Sequence, residues 1–414
     1  MKSLTTNKPA NLSSGQLEQH LISIIRTNFD GDANHLEDIL SEIDWSYLFK
    51  NKLYGNLLPL VYFTLKENNL LNNINPEFKS NLENLFQAMS ARNRILLKEL
   101  AELIKTLNTA NIEIMVFKGA TLAEKVYPHI ALRPMGDIDL LLRSKEDASA
   151  ITAILESKGY SIKESKQEDI FIDSIYCAQT FVKTGKPRIA VDVHYTLPYL
   201  GYKKDNEGLD NFQRVWQRGT KEQINGQEVW FMSSEDSIAN LMGHNFRHKK
   251  RKIITYFDVG FLIKTQEIDW ERVASSLEFS LTNLYAEKFL KKAKDEFGFA
   301  IPQSVLDELN NINKNRSSFD RILNSNLRVN QLNFLEKFTQ TQSFKEKILW
   351  LTGYIFPSKN YMEQAYKTNN KFYLISLYIY RPFFIFLKSF FLIIKFLISK
   401  IRYKLFKSQA KKPK

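Results

Sequence analysis

The chain has 414 residues and a formal net charge of +13, and 44% of its residues are hydrophobic and 25% charged. This balance is typical of globular proteins and excludes a disordered or fibrous chain. The single cysteine, Cys177, excludes an intramolecular disulfide, and residues 1–15 lack the apolar segment of a signal peptide, so we expect a cytoplasmic protein.

The positive charge is concentrated near the C-terminus. No Asp or Glu follows Glu363, whereas residues 364–414 contain 12 Lys and Arg, which leaves residues 1–363 with a net charge of +1. Affinity for a long nucleic acid depends on many contacts to phosphates. The nearly neutral body therefore argues against an extended nucleic-acid partner.

The order of predicted elements divides the chain into five segments. Apolar spacing predicts helices up to residue 110, a β-α-β-α-β-β pattern follows, and helices return after residue 232. We therefore predict an α+β fold, in which a small mixed β-sheet is flanked by N- and C-terminal helical regions. The predicted segments are a disordered N-terminus (1–15), an N-terminal helical region (16–110), an α/β core (111–232), a C-terminal helical region (233–365) and a basic aromatic amphipathic tail (366–414).

The most informative motif is the sequence Gly136-Asp137-Ile138-Asp139-Leu140-Leu141. If this segment is a strand, Asp137 and Asp139 point to the same face. Two carboxylates on an apolar strand repel each other and lose hydration, and a divalent cation relieves both costs. Oxygen ligands select Mg²⁺ or Mn²⁺. The common alternative for an isolated pair of this kind is an exposed strand end with two solvated carboxylates.

A second apolar segment, Ile189–Tyr195, contains Asp192 and His194 at alternate positions. If this strand lies beside the first, about 4.8 Å away, three carboxylates can surround one or two metal ions. In-line phosphoryl transfer needs this positioning and charge neutralisation.

The segment Val116-Phe117-Lys118-Gly119 predicts a strand that turns into a helix. Backbone N–H groups at a helix start can bind a phosphate, and Lys118 would add a positive charge. The alternative is a connecting turn with a surface lysine.

His244 and His248 are four residues apart on a predicted helix and therefore share one face. A zinc site would need a third ligand, and no HExxH motif or Cys partner lies nearby. We expect both residues to line the nucleotide or acceptor cleft, and a buried, hydrogen-bonded pair is the alternative.

Together these motifs resemble the uncharacterised nucleotidyltransferase family, which belongs to the DNA polymerase beta-like nucleotidyltransferase superfamily. The resemblance covers roughly residues 35–360, and its specific motifs lie between residues 116 and 194. It implies a nucleotidyltransferase core that transfers an NMP from an NTP to an acceptor hydroxyl and releases pyrophosphate, with Mg²⁺ (or Mn²⁺) as cofactor. The chain departs from the superfamily pattern where Gly119-Ala120 replaces the usual Gly-Ser pair, which removes a hydroxyl that commonly contacts phosphate.

The resemblance also implies a role for each candidate residue. Asp137, Asp139 and Asp192 would be the metal-binding and catalytic triad, and Asp192 would also assist deprotonation of the acceptor. Contacts to nucleotide or substrate are expected from Lys118, Gly119, Arg133, Gly136, His194, His244 and His248.

Two other functions fit the same motifs. A metal-dependent glycosyltransferase also uses an Asp-x-Asp pair, but it does not require Asp192 on a neighbouring strand. A non-catalytic, membrane-associated nucleotide-binding protein would bind nucleotide without turnover. Sugars, lipid-linked glycans, antibiotics, peptides, proteins and tRNA all remain candidate acceptors.

The tail is rich in Phe and Ile, and its cations Arg381, Lys388, Lys395 and Arg402 recur every seven residues. On a helix these cations form one stripe. The longest uncharged run, residues 372–380, has nine residues, whereas a membrane span needs about 20. We therefore expect residues 371–407 to lie on an anionic membrane surface, at the inner face of the membrane. The alternative is a helix that packs on its own domain or on a second subunit.

Overall fold

The computed structural model describes residues 13–51, 54–162, 178–185, 187–197, 211–247, 253–277, 283–315, 344–357, 359–366 and 368–387. The first helix already begins at Ser14, and the rest of the predicted disordered N-terminus, residues 1–12, lies outside these ranges. His248 and the part of the tail after residue 387 also lie outside them.

The N-terminal region is helical, as the sequence predicts. Its helices are α1 (Ser14–Asp30), α2 (Leu36–Glu42), α3 (Trp45–Lys50), α4 (Leu58–Glu67) and α5 (Pro76–Thr109). The long helix α5 begins where Asn75 accepts a hydrogen bond from the Glu77 N–H and Pro76 occupies the first turn. Its later turns bury apolar residues such as Leu100 and Ile104 against the sheet.

In the described part of the chain, one seven-stranded mixed sheet lies at the centre of the fold. Its strands are β1 (Ile114–Phe117), β2 (Ile138–Leu142), β3 (Ser161–Ile162), β4 (Ala178–Lys183), β5 (Ile189–His194), β6 (Thr220–Ile224) and β7 (Gln227–Phe231). The spatial order is β3-β4-β5-β2-β1-β7-β6. The β2–β5 and β1–β7 pairs are parallel, and the other neighbours are antiparallel. The predicted α+β fold is confirmed.

Short helices connect these strands and cover the sheet. They are α6 (Gly119–Thr121), which continues as a π-helical turn over Leu122–Val126, α7 (Ala148–Ser157) and α8 (Asn211–Arg218). The β6–β7 hairpin turns at Asn225-Gly226, where both residues have positive φ (45° and 77°). This backbone conformation is the reason for the Asn-Gly preference in two-residue hairpin loops.

The C-terminal region is again helical. Its helices are α9 (Ser234–Arg247), α10 (Ile254–Thr265), α11 (Trp270–Leu277), α12 (Asn283–Asp295), α13 (Gln303–Asn315), α14 (Phe344–Ile355), α15 (Lys359–Tyr366) and α16 (371–387). Every residue of α10 from Ile254 to Leu262 is buried, so this helix is central to the region. Within the described residues, no helix has the length and apolar character that crossing a membrane would need.

Successive side chains along the central strands point to opposite faces of the sheet and therefore pack into two different cores. Ile114 and Val116 of β1 join the core that includes α5 and α7, whereas Met115 and Phe117 join the core that contains the C-terminal helices. Because Asp139 lies opposite Phe117 in the β1–β2 register, the sheet positions it next to this second core.

Candidate active site

Two acidic residues predicted to bind metal are neighbours across the β2–β5 pair. The parallel register places Asp139 directly opposite Asp192 and Leu141 opposite His194. One ligand atom from each of Asp139, Asp192 and His194 lies within 4.8 Å of the others. The structure therefore brings together two carboxylates and an imidazole from strands that are about 50 residues apart in the sequence.

Asp139 is the best-anchored member of this group. Its Oδ1 atom lies 2.6 Å from Lys118 Nζ and 2.9 Å from His194 Nε2, and Lys118 Nζ is 3.4 Å from His194 Nε2. The His194 ring meets Phe117 edge to face, with ring centroids 5.0 Å apart. Since Phe117 is fully buried, these contacts leave little freedom to either Lys118 or His194.

The charges in this cluster determine its protonation state. Burial alone would raise the pKa of Asp139, but the Lys118 ammonium and the His194 hydrogen bond outweigh it and hold that pKa far below the ordinary range. Burial, together with the Lys118 charge, lowers the pKa of His194. An ionised carboxylate beside a neutral imidazole follows, and these are the states in which both groups bind metals.

Lys118 has an unusual backbone conformation, with φ 57° and ψ −127°. A residue with a Cβ atom rarely adopts positive φ, and holding it there costs about 1–3 kcal/mol. The strain lies at the point where β1 ends and α6 begins, one residue before Gly119. The ion pair with Asp139 fixes the side chain in this geometry.

A cavity of about 490 Å³, which we call the carboxylate cavity, is open next to this cluster. Most of the predicted site residues line this cavity, namely Lys118, Gly119, Arg133, Gly136, Asp137, Asp139, Asp192 and His244. His194 is not among the residues that line the cavity, but it is hydrogen-bonded to Asp139, which is. His248 lies outside the described residues.

Asp137 occupies a different environment from Asp139. Strand β2 begins at Ile138, so Asp137 precedes the strand. The alternation of side chains along a strand, which predicted Asp137 and Asp139 on one face, therefore does not apply to Asp137. Its carboxylate is half-buried, lines the carboxylate cavity and acts electrostatically on Arg133. The group of three close ligand atoms contains His194, for which the sequence predicted only a substrate contact, and not Asp137.

Arg133 is held by the C-terminal region. Its Nε atom donates a hydrogen bond to Asp258 Oδ1 at 2.6 Å, and the Tyr127 hydroxyl donates to the same oxygen at 2.8 Å. Burial would lower the pKa of Arg133, but Asp258 outweighs it and raises that pKa. Burial and the Asp258 charge also raise the pKa of Tyr127. This buried triad joins the loop before β2 to α10.

Two further residues position the loop that leads into β2, and sequence reasoning missed them. Asn93, fully buried in α5, donates to the carbonyls of Ile130 (2.5 Å) and Arg133 (2.9 Å) and accepts from the Met135 N–H (3.2 Å). Arg92 donates from Nε to the Met135 carbonyl at 3.2 Å. The sequence does contain a signal for Asn93, which is a polar residue on the apolar face of a long helix.

The donor set of Asp139, Asp192 and His194 fits a divalent metal ion. The two carboxylates supply hard oxygen ligands, and His194 can add a nitrogen ligand because its pKa is lowered. Lys118 Nζ already contacts Asp139 Oδ1. The arrangement can thus neutralise the Asp139 carboxylate either with the lysine or with a metal.

Comparison with known proteins shows the family of the chain. The sequence model of a family described as uncharacterised nucleotidyltransferase matches residues 41–286, more than half of the chain. The chain belongs to this family, which supports a nucleotidyltransfer role. Comparison with curated proteins gave no match. Among solved structures, the chain is similar to an antigenic nucleotidyltransferase-like protein from Paracoccidioides brasiliensis, with 15% identity, a TM-score of 0.33, and coverage of 51% of this chain and 95% of that chain.

Proposed function

We propose that this protein transfers a nucleoside monophosphate from an NTP to an acceptor hydroxyl and releases pyrophosphate, with Mg²⁺ or Mn²⁺ as cofactor. The observation that carries the proposal is the pairing of Asp139 with Asp192 across two parallel strands, beside His194 and at the wall of an open cavity. Family membership supports the same chemistry.

In this proposal Asp139, Asp192 and His194 hold the metal, and Asp137 contributes a further carboxylate from the same cavity wall. When bound, the divalent ion supplies charge neutralisation for the phosphoryl group that is transferred. Asp192 takes the proton of the acceptor hydroxyl. The acceptor oxygen then forms a bond to the α-phosphorus, while the bond between that phosphorus and the pyrophosphate oxygen breaks. Lys118 lines the same cavity and would contact a phosphate of the NTP.

The geometry favours this function over the two alternatives from the sequence. A glycosyltransferase that uses an Asp-x-Asp pair has no need for Asp192 opposite Asp139, yet the sheet register pairs these two residues. A non-catalytic site closed around Asp137 is disfavoured, because Asp137 lines a cavity of about 490 Å³. Nucleotide binding without turnover is the form of this alternative that the following screen distinguishes.

The test is a turnover screen with α-labelled NTPs, Mg²⁺ or Mn²⁺, and pooled acceptors from the candidate classes. We expect label transfer by the wild type and a loss of at least about 100-fold in Asp139→Asn and Asp192→Asn, because the metal would lose a charged ligand. Asp295→Asn is the matched control, since Asp295 is exposed at the end of α12. Full transfer by both site variants would exclude these carboxylates as the active site.

We also propose that the tail holds the enzyme on an anionic membrane surface. In α16, residues Phe372, Ile375, Ile379, Phe383 and Phe386 are exposed, by 58 to 86% of their surface, and recur at spacings of three and four. They form one apolar stripe, whereas Leu374 and Leu377 on the other side pack against Met362. An exposed apolar stripe in a segment with cations and no acidic residues is typical of helices that lie in a membrane interface.

A further inference from the structure

A second cavity, of about 430 Å³, lies next to the carboxylate cavity. The two cavities share Lys118 and Leu241 in their walls, so the Lys118 side chain stands between them. Among the described residues that line the second cavity there is no Asp, and Glu222 is its one carboxylate. We call it the basic cavity.

The wall of the basic cavity is suited to an anion. Besides Lys118 it contains Lys125, Arg218 and Arg272. Lys125 pairs with Glu222 at 3.1 Å, but the side chains are 33% and 46% exposed, and exposed ion pairs of this type are weak and exchange readily. Arg218 is different, because Asp236 holds it through two contacts of 2.5 and 2.8 Å. Arg272 also pairs with carboxylates, with Asp269 at 3.4 Å and with Glu235 at 4.0 Å, and its side chain is 45% exposed. Lys125 and Arg272 are therefore the cations whose exposed pairs a ligand can displace.

The first turn of α9 also faces this cavity. Ser233, Ser234 and Ser237 line it, so the positive end of the dipole of a 14-residue helix points toward it. The Ser233 hydroxyl already donates to Asp236 Oδ2 at 3.1 Å, so Ser234 and Ser237 supply the hydroxyl donors for a phosphate. Glu235 and Asp236 also lie in this first turn, and Asp236 is neutralised by Arg218.

Two buried oxygen atoms give independent evidence for a ligand. The Thr121 hydroxyl and the Asn240 amide oxygen have no hydrogen-bond partner among the described residues. Thr121 is 8% exposed and Asn240 is 1% exposed, and both line the basic cavity. Buried polar groups of this kind are rarely left unpaired in native proteins. Both oxygen atoms are buried beneath the cavity wall, so a bound molecule completes them when the two side chains rotate toward it. Because an amide oxygen can only accept, that molecule must carry a donor as well as an anionic group.

We propose that the basic cavity binds a phosphorylated polyhydroxyl compound, and that this compound is the acceptor of the transferase reaction. Its phosphate contacts Lys125, Arg272 and the first turn of α9, and one of its hydroxyl groups donates to Asn240. The shared wall at Lys118 brings a second hydroxyl next to the carboxylate cavity, where the NTP reacts. This assignment of the acceptor rests on the proposed function, whereas binding in the cavity does not require it.

The binding test uses three probes, namely sn-glycerol 3-phosphate, inorganic phosphate and glycerol, titrated calorimetrically into the full-length protein in EDTA without NTP. We expect glycerol phosphate to bind more tightly than phosphate and glycerol not to bind measurably. Lys125→Met should weaken both phosphate-containing probes about tenfold, since a charge-assisted hydrogen bond is lost. Thr121→Val should weaken them less and leave the fold unchanged, because the hydroxyl that it removes has no partner among the described residues.

Three controls make the assignment specific. Lys98→Met removes an exposed lysine of α5 and should leave the binding of glycerol phosphate unchanged. Asp139→Asn removes the ion-pair partner of Lys118, which lines both cavities, and should therefore not weaken that binding. Arg92→Met alters the carboxylate cavity and should also have no effect. If Arg92→Met weakens the probe and Lys125→Met does not, the ligand lies in the carboxylate cavity and the proposal is wrong.

A competition experiment separates the acceptor from the nucleotide. An NTP added with Mg²⁺ should leave the binding of glycerol phosphate in place, because the two ligands occupy neighbouring cavities. If the NTP displaces the probe and Lys125→Met weakens the NTP equally, the basic cavity is a nucleotide subsite and the acceptor assignment fails. Label transfer by the wild type to other acceptors, with no probe bound, would overturn this inference and leave the proposed function intact.

Discussion

Arg133 and Asp258 are 125 residues apart in the sequence, yet Arg133 Nε lies 2.6 Å from Asp258 Oδ1. The contact joins the loop that precedes β2 to the buried helix α10, and the Tyr127 hydroxyl donates to the same oxygen. The other carboxylate oxygen of Asp258, Oδ2, has no partner among the described residues. This buried ion pair therefore helps to fix the loop that lines the carboxylate cavity against the C-terminal helices, alongside the contacts from Asn93 and Arg92.

The first prediction concerns the stability of this ion pair. Asp258→Asn should lower the free energy of unfolding by about 3–5 kcal/mol, because removal of one partner leaves a buried guanidinium without its counter-charge. Urea unfolding followed by tryptophan fluorescence measures the change. Glu228→Gln breaks the exposed pair with Lys221 and should cost less than about 1 kcal/mol. Equal effects of the two variants would show that the Arg133–Asp258 pair has no special structural role.

The second prediction concerns Lys118 as the resident cation of the metal site. Lys118→Met should destabilise the metal-free protein, by on the order of 3 kcal/mol, because the buried carboxylate of Asp139 loses its ion pair. A divalent metal then has no lysine to displace, so Mn²⁺ should raise the melting temperature of the variant more than that of the wild type.

Lys105→Met is the matched control for this variant, since Lys105 is exposed on α5. It should leave both the melting temperature and its response to Mn²⁺ unchanged. A smaller Mn²⁺ response in Lys118→Met than in the wild type would mean that the lysine assists metal binding instead of competing with it.

The third prediction is a dependence of stability on pH. Because the pKa of Asp139 is lowered in the folded protein, the ion pair contributes fully above the ordinary carboxyl pKa of about 4. Its contribution should be lost progressively as the pH falls below that value toward the lowered pKa. The difference in unfolding free energy between wild type and Asp139→Asn, measured in EDTA, should therefore shrink between about pH 4 and pH 2. A difference that stays constant over this range would contradict the assigned protonation state.

The fourth prediction concerns the tail. The wild-type protein should co-sediment with vesicles that contain anionic lipid and bind neutral vesicles less well, and high salt should weaken the binding without abolishing it. Replacement of Lys388, Lys395 and Arg402 by Glu should release the protein, because each cation near an anionic surface contributes about 1 kcal/mol.

A control with the same change in net charge separates local from global electrostatics. Replacement of the exposed residues Lys98, Lys105 and Lys145 by Glu should leave vesicle binding in place. If the wild type itself remains in the supernatant with anionic vesicles, the tail is a packing element and the membrane proposal is wrong.

The sequence by itself determined the class of fold and the chemistry of the candidate site. Regular spacing of apolar residues defines α5, and short apolar runs beside Gly and Asp define β1, β2 and β5, because these patterns depend only on local periodicity. The same local logic marked Asp139, Asp192 and Lys118 as site candidates.

Only the tertiary structure decided how those residues meet. The register that places Asp192 opposite Asp139 is a property of two strands paired across about 50 residues, and no local pattern specifies it. The start of β2 at Ile138 likewise separates Asp137 from the strand, since α5 holds the preceding loop through Asn93. The ion pair from Lys118 to Asp139 and the basic cavity beside it depend on side chains from several elements. The ion pair forms only when β1 and β2 pair, and the cavity forms only when the C-terminal helices pack against the sheet, which is why the sequence alone does not reveal them.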